Sequence, residues 1–151
     1  MIKIVDGDIL QATEDIWCHQ TNAKGVMGGG IAKQTKEKYP EVYKAYKELC
    51  EKHNSKDLLG AVQYVECHDG YIIANLFGQE GFGRNKQYTD YNALRNALNI
   101  VYKRVKRYHE SVAIPFNIGC GLAGGSWPFV YSMIEEVFHD YDVTLYRWEV
   151  K

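Results

Sequence analysis

An α/β domain with a mixed central sheet and helices on both of its faces is the fold this sequence predicts, on three observations. Twice along the chain a short apolar run passes through a glycine-rich loop into a stretch of helical spacing: Asp15 to Thr21 leads into Ala23 to Ala32, and Ser111 to Asn117 leads into Ile118 to Ser126. The third is a pair of β-rich runs, Gly60 to Cys67 and Tyr71 to Phe77, separated by His68-Asp69-Gly70, which reads as a hairpin and so makes the sheet mixed. The order β β α α β β α β α β, with about six strands, predicts a single three-layer α/β/α domain over residues 1–151.

Met1 to Val5 alternates as a strand and ends on the turn residues Asp6-Gly7-Asp8 before Ile9 and Leu10. In the second strand Ile16, Trp17 and Cys18 are the candidate core, and polar residues appear at His19, Gln20, Thr21 and Asn22 as it ends. The loop Ala23 to Ala32, with Gly28-Gly29-Gly30-Ile31 inside it, opens a helix that runs to about Tyr39, where Pro40 interrupts it and starts another. That second helix carries Val42, Tyr43, Tyr46, Leu49 and Cys50 on one face and ends near His53-Asn54-Ser55. After the hairpin, Gly78 to Lys86 reads as a mobile loop. Thr89 or Asp90 starts a helix with Leu94, Ala97, Leu98, Val101 and Val105 on its core face and a solvated Lys103, Arg104, Lys106, Arg107 cluster. Ser126 is placed to cap the next helix, Pro128 suits its first turn, and Phe129, Val130, Met133, Ile134, Val137 and Phe138 repeat at helical spacing. Val143 to Val150 alternates as the last strand.

The 151 residues suffice for one domain with a sizeable core, and 46% hydrophobic with 25% charged residues is the composition of a soluble globular protein. A net charge of −1 provides no global field to recruit nucleic acid or an anionic membrane, and no apolar run approaches a bilayer's thickness. The N-terminus lacks a signal peptide's apolar segment, so the expected setting is cytoplasmic. Cys18, Cys50, Cys67 and Cys120 stand far apart without a C-x-x-C pair, which argues against a zinc site and a disulfide framework and for reduced thiols. No metal or cofactor is expected, and a monomer is.

Where strand, glycine loop and helix N-terminus follow one another, several N–H groups converge on one spot, and that spot favours an anion, most simply a phosphate. Two such loops on neighbouring strands would flank one crevice beyond the carboxyl ends of the sheet. Neither has the G-x-x-x-x-G-K-[ST] of a P-loop or the G-x-G-x-x-G of a dinucleotide fold. Asp8, at a strand end, is placed for ligand contact, though locally a plain turn or cap role is the simpler reading, and Asn22 suits a ligand hydroxyl, a water or local capping.

Gly7-Asp8-Ile9, Asn22-Ala23 leading to Gly28-Gly29-Gly30-Ile31-Ala32, and Ile118-Gly119-Cys120-Gly121-Leu122 followed by Gly124 and Trp127 resemble, in this order, the macrodomain family of ADP-ribose-binding α/β/α modules. The resemblance runs over nearly the whole chain. It implies that Asp8 meets the adenine amino group with Ile9 alongside, and that Asn22 lies by the distal ribose. Gly28, Gly29, Gly30 and Ile31, with Gly119, Cys120, Gly121, Leu122, Ala123 and Gly124, would clasp that ribose and the diphosphate. Within the family the chain looks most like the small stand-alone members that remove phosphate from ADP-ribose 1''-phosphate, through His19 three residues before Asn22, the Met27 to Ala32 loop, Lys38-Tyr39-Pro40, Leu49-Cys50-Glu51-Lys52 and Leu58-Leu59-Gly60. A sister branch of glycohydrolases uses a lysine after the fourth strand and an aspartate after the Gly-Cys-Gly-Leu segment, and here those places read Gly78-Gln79 and Ala123.

The ligand so implied is ADP-ribose or its 1''-phosphate, with hydrolysis of the phosphomonoester as the expected activity, and with a non-catalytic reader or an ADP-ribosyl hydrolase as the alternatives. His19 is the candidate acid, base or nucleophile, since an imidazole titrates near neutrality, and Asn22 the candidate orienting group. Cys120 is not expected to act covalently, because the C-x-x-x-x-x-R phosphate cradle would need arginine where Ser126 stands. Phe116, Tyr146 and Trp148 are all open as partners for adenine.

Overall fold

The computed structural model describes residues 1–148. Six strands, β1 (Ile2–Asp6), β2 (Ile16–Gln20), β3 (Val62–Glu66), β4 (Ile72–Leu76), β5 (Val112–Pro115) and β6 (Val143–Arg147), form one sheet in the order β1-β6-β5-β2-β4-β3. The β3–β4 pair is antiparallel and every other pair is parallel, as a hairpin joined to crossover units requires. The predicted extension of the last strand to Val150 falls partly outside the described residues.

One face of the sheet is covered by α4 (Tyr91–Tyr108) and α5 (Trp127–Val137), and the predicted stripe Leu94, Ala97, Leu98, Val101 and Val105 lies wholly in that core with Val130, Met133 and Ile134. The other face is covered by α1 (Gly30–Lys38), α2 (Pro40–Lys52) and the single turn α3 (Ser55–Leu58), with Val42, Tyr46, Trp17, Ile73 and Phe77 at its centre. The helical layers on both faces are the three-layer architecture that the sequence predicts.

The differences lie at element ends. α3 adds an element the sequence reading lacked: Asn54 caps it through its side chain and Gly60, at φ 86°, lets the chain turn into β3. Phe129, expected in the core stripe, is 49% exposed and packs instead on Tyr91, with ring centroids 4.5 Å apart. Ser126 occupies the cap position of α5 but makes no side-chain cap bond, and its N–H is bound by Tyr91 Oη at 3.0 Å. Asp90 does cap α4, accepting from Ala93 N. Among the described residues no helix is long and apolar enough to cross a membrane.

Candidate functional site

Because β1, β6, β5, β2 and β4 all run the same way, the loops after β1, β2, β4 and β5 emerge at one edge of the sheet. β2 and β5 are neighbours whose onward crossovers go to opposite faces, through α1 on one side and α5 on the other, which makes the gap between them the switch point of the sheet. They pair only at Ile16↔Val112 and Trp17↔Ala113, so beyond Trp17 a crevice opens between the ends of the two strands that carry the glycine loops.

Two adjoining cavities occupy this crevice. One of about 300 Å³ is lined by Asn22, Gly28, Gly29, Gln79, Arg84 and Ala123, among others. The second, about 290 Å³, is bounded by Gly29 to Ala32 on one side and by Phe116, Gly119, Gly121 and Leu122 on the other. Cavities of this size lie at the lower end of small-ligand sites. The predicted residues Gly28, Gly29, Gly30, Ile31, Gly119, Gly121, Leu122 and Ala123 therefore face one another across the crevice.

The backbone explains why these positions are glycine. Gly30 (φ 57°) and Gly119 (φ 72°) sit in the left-handed region, and Asn117, one of the few residue types that tolerate it, holds φ 73°. Gly121 is different: a Cβ there would meet nothing within 4 Å, so the small residue leaves open space rather than relieving a clash. Among the described residues the N–H groups of Gly121, Leu122 and Ala123, and those of Gly30, Ile31 and Ala32 in the first turn of α1, have no hydrogen-bond partner. Two rows of uncommitted donors, one at a helix N-terminus, thus border the same space.

Asn22 is largely occupied with its own loop. Its Oδ1 accepts from Lys24 N (3.0 Å) and Tyr46 Oη (2.7 Å), and its Nδ2 donates to Val26 O (2.7 Å), leaving one amide hydrogen for a ligand. Tyr46, fully buried in α2, also receives Val26 N at 3.1 Å, so the core of the second face braces the first glycine loop. The second loop is braced from below. Gln20 Nε2 donates to Gln79 Oε1 and Thr89 Oγ1, both at 2.9 Å, and Thr89 Oγ1 donates to Gly119 O at 2.6 Å. Gly78 is glycine because a Cβ would stand 2.2 Å from Gln20 Oε1.

His19 lies almost wholly beneath the cavity surface. The ring is 2% exposed, in the wall of the second cavity, and Nδ1 is both covered and without a partner. Asn75, its cross-strand neighbour, donates to Gln63 Oε1, so its Oδ1 must accept, and His19 Nε2 carries the proton that it accepts at 2.5 Å. Burial holds the imidazole pKa down at about 4 against this bond, so the ring is neutral at physiological pH. Of the acid, base and nucleophile roles expected for it, a neutral, covered imidazole suits general acid least, and its bond to Asn75 holds the end of β2 to β4.

Other expected contacts separate likewise. Asp8 lies in a different depression with Leu10, Gln11, Gln34 and Lys38, its Oδ1 accepting from Leu10 N while Ile9 is buried beneath. α1 links the two places, since its first turn lines the crevice and its last turn lines the Asp8 depression. Cys120 and Gly124 do not line either cavity: the Cys120 thiol faces Ile118 O, burial raising its pKa to about 11, and Gly124 backs onto Lys86 and Gln87. Of the three candidate aromatics Phe116 lines the crevice, Tyr146 hydrogen-bonds Glu14, and Trp148 is 59% exposed. Phe82 and Arg84, not among the site residues that the sequence predicts, line the first cavity from the loop after β4. Their signal was the alternation Gly81-Phe82-Gly83-Arg84, glycines that let a backbone lie close to Tyr88.

Comparison with known proteins agrees with this architecture. An ADP-ribose 1''-phosphate phosphatase of Meyerozyma guilliermondii is 28% identical over 104 residues, which cover 59% of this chain and 59% of the relative. A DNA ADP-ribosyl glycohydrolase of Thermus aquaticus is 29% identical over 142 residues, 90% of this chain but 37% of that relative, so the chain spans less than two thirds of either protein. The macrodomain of Mycobacterium tuberculosis DarG superimposes with a TM-score of 0.83 at 27% identity, over 97% of both chains. The Macro domain family model matches residues 18–134, and with the sheet order and paired glycine loops described above it makes this chain a member of the Macro domain family.

Proposed function

We propose that this domain binds ADP-ribose and hydrolyses the phosphomonoester of ADP-ribose 1''-phosphate to ADP-ribose and inorganic phosphate. The observation that carries the reading is the pair of uncommitted N–H rows, at Gly30 to Ala32 and at Gly121 to Ala123, bordering one crevice. Backbone donors fixed in this way suit the spread negative charge of a diphosphate and of a phosphoryl group in transfer. In the proposed reaction water oxygen bonds to phosphorus, the bond from phosphorus to the ribose oxygen breaks, and that oxygen is protonated from solvent. The protein's share is positioning and charge stabilisation, with the remaining Asn22 amide hydrogen on the distal ribose.

The positions at which the glycohydrolase branch carries lysine and aspartate support this choice over release of whole ADP-ribose groups. Gln79 and Ala123 both line the two cavities and offer neither nucleophile nor acid. Lys86, in the same loop, lines neither cavity, and its Nζ lies over the Tyr88 ring, 5.0 Å from the centroid.

One observation favours a second reading, a non-catalytic reader of ADP-ribose. Among the described residues that line the cavities, none presents an exposed carboxylate, amine, thiol or imidazole for proton transfer. Phosphate release from ADP-ribose 1''-phosphate, measured beside calorimetric titration with ADP-ribose, separates the two. Turnover supports the phosphatase, binding without turnover the reader, and release of ADP-ribose from modified protein or DNA at a comparable rate contradicts both.

A further inference from the structure

We propose that Arg84 receives an anionic group carried on the distal ribose, so that it makes the site prefer ADP-ribose 1''-phosphate to ADP-ribose; this rests on the reading of the crevice as an ADP-ribose site. Among the residues lining the cavity shared with Asn22, Gly28 and Ala123, Arg84 alone is charged, and no carboxylate lines that cavity to neutralise it. Its guanidinium has no hydrogen bond or ion pair among the described residues, whereas Arg95, Arg104 and Arg147 are each paired with a carboxylate. Arg107 also lacks a carboxylate partner among the described residues but lies over the Tyr108 ring away from either cavity, so what distinguishes Arg84 is its place on the cavity, where its planar fork matches two oxygens of one phosphate.

The loop that carries it is held in register with the second glycine loop. Gly83 lies against Tyr88 so closely that a Cβ would stand 2.3 Å from its hydroxyl, and Gly81 rests on the same ring. Tyr88 N in turn donates to Ala123 O at 2.7 Å, and Thr89 N donates to the same oxygen at 3.2 Å. Arg84 is therefore anchored to the segment whose N–H groups border the crevice. It belongs to the cavity of Asn22, the candidate distal-ribose contact, and not to the one walled by Phe116, so the group it meets is the one beyond the diphosphate.

The test is Arg84→Gln in the full chain, titrated with ADP-ribose by calorimetry and with ADP-ribose 1''-phosphate by KM where it turns over or by calorimetry where it does not. Loss of a charge-assisted contact should weaken the 1''-phosphate by about 10- to 100-fold while ADP-ribose changes by no more than about 3-fold. The variant should melt with the parent, since the Arg84 side chain is exposed and makes no hydrogen bond or ion pair among the described residues. Unchanged affinity for both ligands overturns the assignment. Equal losses for both overturn it too, by placing Arg84 on the diphosphate. A parent chain that binds neither ligand removes the crevice reading itself, which is a distinct result from either.

Discussion

Acidification should expose the cost of burying His19. The folded protein holds this imidazole at a pKa of about 4, chiefly by desolvation, against an ordinary value of 6.5. Between those values the unfolded chain binds a proton that the native chain does not, so stability is complete above the ordinary value and is lost as pH falls toward the native one. At about 1.4 kcal/mol per pH unit the loss from pH 7 to pH 5 comes to about 2 kcal/mol from this group alone. His53, His68, His109 and His139 stay the same in a variant at position 19, so a difference measurement isolates the buried ring. His19→Gln removes the titration and retains an amide donor for Asn75 Oδ1. Urea unfolding at both pH values should show the parent losing about 2 kcal/mol more than the variant. Parallel losses would mean that the ring titrates freely, and with that the claim of a covered, neutral histidine fails.

Two further perturbations bear on the crevice. Gly121→Val places a branched side chain in space where a Cβ now meets nothing within 4 Å, at a residue outside the left-handed region. ADP-ribose affinity should fall by about 10- to 100-fold with unfolding free energy within about 1 kcal/mol of the parent, and a folded variant with full affinity would count against the site. Asp8→Ala should cost about 1 kcal/mol by removing the acceptor for Leu10 N, whereas Asp8→Asn should keep the cap. If Asp8 also meets the adenine amino group, both variants should lower the preference for ADP-ribose over its inosine analogue, and an unchanged ratio assigns Asp8 to the turn alone.

The fold was legible because its signals were local. A glycine cluster following a β-rich run and preceding Ile31 or Val130 at helical spacing marks a strand, loop and helix wherever it occurs, and the paired occurrence predicted the crevice between β2 and β5. What the sequence could not reveal depends on partners distant along the chain. His19 reads as a proton-transfer group because its residue type titrates near neutrality, while its neutral state is set by burial and its tautomer by Asn75 and Gln63 across two strand pairs. The same holds for Gln20, whose amide joins Gln79 and Thr89 from two later segments, and for Phe129, drawn outward by Tyr91. Arg84 was hidden by its place in a loop that looked mobile, and its position depends on Gly83 lying flat against Tyr88.

Whether this crevice takes ADP-ribose and the chain cleaves its 1''-phosphate is decided by one paired assay on one folded preparation. Phosphate release from ADP-ribose 1''-phosphate is followed in parallel with calorimetric binding of ADP-ribose to the parent and to Gly121→Val. The parent should release phosphate and bind ADP-ribose saturably, and the variant should lose both. Release that persists undiminished in a folded Gly121→Val, or a parent that neither binds nor releases, would contradict the proposed function.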